Sequence, residues 1–206
     1  MASVIDIDVP RDGIACEADR FLGLDLRSTC SASDHWTRGR DVIAIYEPDD
    51  PRHVRATALW RLRGMPGVAI WELIASATTS RPQSDASLAV VSDVATAEIV
   101  WGCSGGDGLQ WHQAESSAAD CVLIRHPDTA GGSVFLAVHP ADSRGLVVQR
   151  TGDGTRVECW LFSAAAEKGV LFRGRAVAAL GPTANDQLWA TQVWHEFIAA
   201  PPMLTA

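Results

Sequence analysis

Apolar and polar positions alternate along most of this chain in short runs, each closed by glycine, proline or aspartate. Between residues 120 and 180 the runs read CVLIRH, SVFLAVH, RGLVVQR, RVECWLF and GVLFRGRAVAAL, rich in β-branched and aromatic residues. Strand-length segments separated by turn chemistry predict an antiparallel meander. Its last hairpin would pair 156–162 with 170–176 through a turn at Glu167-Lys168-Gly169.

The first half carries the same signal. Residues 3–8 form an edge strand closed by Pro10, and 20–27 place Leu22, Leu24 and Leu26 on one face. Residues 28–33 are small and polar, a loop. Segments 41–47, 54–61 and 68–75 make two successive hairpins, turned by Pro48-Asp49-Asp50-Pro51 and Met65-Pro66-Gly67. Residues 87–91 and 97–102 are short strands. The stretch from Ser104 to Ala119, around Trp111 and His112, is small and polar and marks a hinge between the halves. After Leu180 the period changes: Trp189, Val193 and Phe197 recur every four residues, which predicts a helix over 184–199. Thr183 to Asp186 resembles a capping box, and Pro201-Pro202 stops the helix. The expected architecture is all-β: one domain over 1–206, a two-sheet antiparallel β-sandwich of roughly ten to twelve strands with one C-terminal α-helix.

Composition narrows the partners. With 47% hydrophobic residues and 20% charged, the 206-residue chain has material for a sizeable core. A net charge of −8 argues against nucleic acid or an anionic membrane as a partner. The acidic N-terminal stretch lacks the pattern of a secretory signal, and no run approaches a membrane span, so the expectation is a soluble cytoplasmic protein. Five dispersed cysteines without a CxxC pair suit reduced thiols.

Candidate chemistry is sparse. His126 and His139 end successive antiparallel strands, roughly 20 Å apart, and each begins a proline turn instead of sharing a metal or substrate. No nucleophile elbow, zinc motif, phosphate loop or calcium loop is present, so no catalytic residue, metal or cofactor is assigned. The expected ligand-binding group is Glu158 with Arg173 and Arg175: in the last hairpin the carboxylate lies opposite two guanidinium groups that share a face, able to grip a polyhydroxyl or carboxylated ligand. The competing reading is a solvated cross-strand ion-pair cluster. Of eight tryptophans, Trp60, Trp71, Trp101 and Trp160 fall in strands and fill the core. Trp36 and Trp111 lie in polar stretches beside His35 and His112, and an exposed indole at Trp111-His112 offers a stacking face for a sugar or an anchor for a partner chain.

The run Glu167-Lys-Gly-Val-Leu-Phe-Arg-Gly-Arg175, with the ending Pro201-Pro-Met-Leu-Thr205, resembles the C-terminal part of uncharacterised bacterial β-rich proteins over less than half the chain. The strand-rich layout is also similar in outline to the sugar-handling β-sandwiches of the galactose mutarotase class. That class's catalytic histidines and acid have no matching positions here, so the resemblance implies a fold and no catalytic residue. Three readings follow: a non-catalytic binding module for a carbohydrate or other polar small molecule, a sugar-active enzyme of mutarotase-like outline, and a structural homo-oligomer. A shallow groove of Trp and Arg would favour binding; convergent His with Asp or Glu would favour the enzyme.

Overall fold

The structure is a computed structural model and describes residues 4–27, 32–50, 52–95, 97–106, 108–126, 132–152 and 154–201. In chain order the strands are β1 (Val4–Ile5), β2 (Ile14–Cys16), β3 (Asp19–Asp25), β4 (Ala32–Arg38), β5 (Asp41–Tyr46) and β6 (Arg55–Met65). They continue with β7 (Val68–Thr78), β8 (Gln83–Asp85), β9 (Leu88–Val94), β10 (Glu98–Gly105), β11 (Gly108–His112) and β12 (Cys121–Arg125). The last are β13 (Gly132–Val138), β14 (Gly145–Thr151), β15 (Gly154–Phe162), β16 (Ala165–Glu167) and β17 (Leu171–Pro182), followed by helix α1 (Asp186–Ala199).

Two antiparallel sheets carry the fold. A six-stranded sheet has the order β1-β2-β3-β9-β15-β14, and a nine-stranded sheet the order β11-β10-β12-β13-β17-β7-β6-β5-β4; β8 and β16 pair separately. The all-β sandwich with a C-terminal helix is therefore the observed fold. The strand number exceeds the expectation because β1, β2, β8 and β16 are very short, and because β4 and β11 are edge strands whose exposure leaves little apolar alternation. In the stretch expected as a hinge, β10 and β11 pair antiparallel, Ser104 with Leu109 and Gly105 with Gly108.

The hairpins β5–β6 and β6–β7 form as the turn chemistry predicts. The meander does not persist. β12 and β13 pair in the nine-stranded sheet, the chain crosses to the other sheet for the β14–β15 hairpin, and then returns as β17 between β13 and β7. Each crossing lets a strand with one apolar face bury it between the sheets. The inner faces contribute Phe21, Leu24, Tyr46, Trp60, Leu73, Leu88, Leu136, Val157 and Leu161 to one core.

A second core lies outside the nine-stranded sheet. There Val100, Leu123, Phe135, Val177 and Ala179 meet Trp189, Ala190, Val193, Trp194 and Phe197 of α1. The predicted stripe is thus buried, widened by Ala190 and Trp194. The capping box does not form. Asn185 occupies the cap in the left-handed region without a side-chain bond, because Asp186 turns to the sheet: it accepts from Arg125 Nε and Nη2 at 2.7 and 3.0 Å and from Ser133 Oγ at 2.8 Å. Burial alone would raise the Asp186 carboxyl, but the hydrogen bonds from Arg125 and Ser133 outweigh it and hold the group below its ordinary range.

Cys16, Cys121 and Cys159 are buried and Cys103 half-buried, all with free thiols; Cys30 lies outside the described residues. Burial pushes the Cys159 thiol up to about 12, so it is a packing group. No helix among the described residues is long and apolar enough to cross a membrane.

Trp189 donates its indole N–H to the Pro182 carbonyl at 2.8 Å and fills the space left by Gly181. Trp189→Ala should therefore cost about 3–5 kcal/mol in chemical denaturation; an unchanged midpoint would mean that α1 is not docked through this face.

Candidate functional site

Strand β15 alternates from Gly154 to Leu161. Val157, Cys159 and Leu161 point into the core, so Arg156, Glu158 and Trp160 stand on the outer face of the six-stranded sheet. The register across that face sets three ladders. Arg20, Asp93, Arg156 and Gln149 form one; Gly23, Val91, Glu158 and Val147 the next; Asp25, Ala89, Trp160 and Gly145 the third. A charged row and an indole-bearing row therefore flank a row in which Glu158 stands among Gly23, Val91 and Val147.

The trough between them is a groove of about 420 Å³ lined by Arg11, Asp12, Arg20, Gly23, Leu24, Asp25, Val91, Asp93 and Arg156. Arg156 Nη1 lies 3.1 Å from Asp93 and its Nε 2.9 Å from Glu158. Arg20 lies 3.6 Å from Asp12. At the other rim Arg27 lies 3.4 Å from Asp25 and stacks 4.4 Å above the Trp160 ring.

Local backbone geometry shapes this groove. In β3 two residues, Phe21 and Leu22, oppose the single Ser92 of β9, a β-bulge. Leu22 takes a positive φ of 54°, costly for a side chain of its size. Two buried bonds hold it: its N–H donates to Ser92 Oγ at 3.2 Å, and its carbonyl accepts the Trp60 indole N–H at 2.9 Å from the opposite sheet. Beyond the bulge, the 3-10 turn Pro10–Asp12 lies directly on β3. A side chain at Gly13 would strike the Phe21 carbonyl, and one at Gly23 would come within 3.2 Å of the Arg11 and Asp12 carbonyls. Arg11 Nε donates to the Leu24 carbonyl at 3.2 Å and completes this wall.

The structure does not assemble the expected trio. β15 pairs with β9 and β14, whereas β17 pairs with β7 and β13, so no hairpin joins 156–162 to 170–176. Glu158 stands on the outer face of the six-stranded sheet and Arg173 and Arg175 on the outer face of the nine-stranded one, with both sheets and the core between them. Arg173 Nε donates to Ser76 Oγ at 3.3 Å. Arg175, 4% exposed, is a clasp: Nη1 donates to the Ala200 and Pro201 carbonyls at 3.1 and 3.3 Å, and its backbone N–H donates to Asp142 at 3.0 Å. Trp111 packs edge-on to Phe135 and donates to Thr191 Oγ1 of α1 at 3.1 Å, so its ring is enlisted by the helix; His112 is exposed on edge strand β11.

Of the expected residues, Glu158 alone adjoins the groove. Arg11, Asp12, Arg20, Asp25, Asp93 and Arg156 escape a sequence reading because β3, β9 and β15 come together from distant parts of the chain. The available signal is the R-x-E-x-W alternation of 156–160, which declares a polar outer face without its cross-strand partners.

The two histidines lie at opposite ends of β13, as strand geometry requires. His139 begins the turn through Pro140 and packs edge-on against Phe197. The turn expected after His126 falls on residues 127–131, outside those described. Its ring does more: Nε2 lies 3.1 Å from Asp19 of the other sheet, both side chains nearly buried.

The sequence matches no protein-family model and no curated protein. Among solved structures, the chain is similar to the Slr1438 protein of Synechocystis sp. PCC 6803, at 11% identity and TM-score 0.51, over 74% of this chain and 66% of that one. An Escherichia coli K12 protein described provisionally as an aldose 1-epimerase aligns at 7% identity and TM-score 0.49, over 72% and 68%. The heparan sulfate lyase HepC of Pedobacter heparinus aligns at 10% identity and TM-score 0.44, over 84% of this chain and 25% of that one. The chain thus spans about two thirds of the first two proteins and a quarter of the third. At these identities the likeness is one of fold alone.

The Asp19 carboxylate beside the ring raises the His126 pKa above its ordinary value, against the opposing effect of burial. A raised folded pKa means that the pair's contribution is fully present below about pH 6.5 and is lost as pH rises through the raised value. The stability gap between the parent and His126→Gln should shrink as pH rises above about 6.5. A gap that does not change with pH would contradict an inter-sheet ion pair.

Proposed function

We propose that this protein is a non-catalytic binding module that holds a carbohydrate or similar polar small molecule in the groove on the outer face of its six-stranded sheet. The observation that carries the reading is the pair of opposed rows, Arg20–Asp93–Arg156 and Asp25–Ala89–Trp160, on either side of Gly23, Val91 and Glu158. Guanidinium groups donate in a fixed fork and carboxylates accept, so alternating them along a trough matches the vicinal hydroxyls of a sugar. The Trp160 face, now covered by Arg27, becomes a stacking surface when that exposed side chain swings aside. These groups are already paired with one another, which pre-organises them and limits the ordering cost of binding.

A second reading, a sugar-active enzyme, has its own observation. A cavity of about 520 Å³ at the ends of β5, β6 and β7 brings His53 together with Glu47, Arg55, Thr78, Thr79 and Arg81. Glu47 there is held by Arg55 at 2.7 Å. Polarimetry on aldoses tests it: turnover abolished by His53→Ala would favour the enzyme.

For the binding reading, a thermal-shift screen of neutral sugars and sugar acids should find a ligand that raises the melting temperature of the parent. Arg156→Ala should lose less than about 1 kcal/mol of intrinsic stability, because its ion pairs are near the surface. It should weaken that ligand about tenfold to a hundredfold, by removal of charge-assisted hydrogen bonds. Equal stabilisation of both proteins by the same ligand would remove the groove as its site.

A further inference from the structure

We infer that β4 is a self-complementary edge through which two copies of this chain pair, joining their nine-stranded sheets into one continuous sheet. β4 ends the sheet order, and its residues from Ser33 to Arg38 are exposed on both faces, with Trp36 at 41%. Edge strands are ordinarily blunted by proline, lysine or a bulge. β4 has no proline or lysine, and its register shift, between Ala32 and Asp34, leaves the segment from Asp34 to Arg38 regular.

The backbone is in phase for a partner. The two-residue turn at Gly39 and Arg40, with φ of 65° at Gly39, closes on the pair Arg38 and Asp41. Hydrogen-bonded and non-bonded pairs alternate from there, so Asp34, Trp36 and Arg38 direct their peptide groups to β5. Ser33, His35 and Thr37 direct theirs outward. An antiparallel second copy must therefore meet odd positions with odd ones. With a two-fold axis at Trp36, His35 pairs with Thr37 of the second copy through main-chain bonds. Trp36 then faces Trp36 of the second copy, and Asp34 faces Arg38 on both sides of the axis.

The charges fit this register. Asp34, Trp36 and Arg38 share one face, and neither Asp34 nor Arg38 has an ion-pair partner among the described residues. Asp41, directly across from Arg38, is already taken by Arg61 at 2.8 Å. Two ion pairs flanking an aromatic pair on a non-hydrogen-bonded site is a favourable cross-strand set. The edges β14 and β11 carry no carboxylate and cannot repeat it. One strand pair buries little area, so the dimer is reversible and concentration-dependent.

Sedimentation velocity over a concentration series tests the assembly. The parent should shift from monomer to dimer. Asp34→Arg should weaken the dimer about tenfold, since both pairs become repulsive. Asp34→Arg combined with Arg38→Asp should restore it. Register is read by cysteine crosslinking in a Cys30→Ser, Cys103→Ser background: Trp36→Cys should form a disulfide-linked dimer, the facing Cα atoms being about 4.5 Å apart. His35→Cys should not, its symmetry mate lying about 8 Å away. A parent that stays monomeric, an Asp34→Arg variant that dimerises as well as the parent, a charge-swapped double variant that fails to recover, or crosslinking through position 35 instead of 36 would each overturn the proposal.

Discussion

The hydrogen bond from the Trp60 indole to the Leu22 carbonyl is the constraint on which the rest of this molecule turns. Trp60 is wholly buried between the sheets, and its N–H must find an acceptor there. A regular β3 would spend the Leu22 carbonyl on β9 or turn it away from the opposite sheet. The bulge instead frees that carbonyl for the indole and gives the Leu22 N–H to Ser92. One local irregularity thus satisfies a buried donor, locks the two sheets in register, and sets the tilt of Gly23 to Asp25 on the outer surface. The groove floor is the other side of the same backbone.

The two outer faces have different fates for a related reason. On the nine-stranded sheet, Val177, Ala179 and Phe135 present an apolar surface that α1 must cover. Asp186 fixes the start of the helix to Arg125 and Ser133, and Arg175 clasps the carbonyls at its end. Arginine there is structural, desolvated and fully engaged. On the six-stranded sheet no α-helix docks among the described residues, and Arg156, Arg20 and Arg27 make ion pairs that solvent screens. Pairs that weak can be exchanged for a ligand's hydroxyl groups, whereas Arg175 cannot leave its partners without exposing the helix end.

Alternation of period two marks β6 and β15 in the sequence, short apolar runs mark β5, β7, β12 and β13, and the four-residue spacing of Trp189, Val193 and Phe197 marks α1. These features are local, produced by one buried face in β15 and α1 and by two in β12 and β13. Which sheet a strand joins is not local. Residues 156–162 and 170–176 look like hairpin partners because a turn lies between them, yet β16 carries the chain across the sandwich. That single topological fact separates Glu158 from Arg173 and Arg175. The bulge at Leu22 is equally silent, since RFLGLDLR reads as regular alternation until Trp60 and Ser92 are known to face it. Trp36 and Trp111 sit in polar sequence but on strands, because edge strands need no apolar face of their own.

Backbone amide chemical-shift mapping during titration with a panel of mono- and disaccharides bears most directly on the groove. Binding there predicts a contiguous set of perturbed amides on Gly23, Asp25, Val91, Asp93 and Arg156, with a change at the Trp160 indole as Arg27 leaves it. Perturbations confined to the other face, around Trp111, His112, Arg173 and Arg175, would contradict the account.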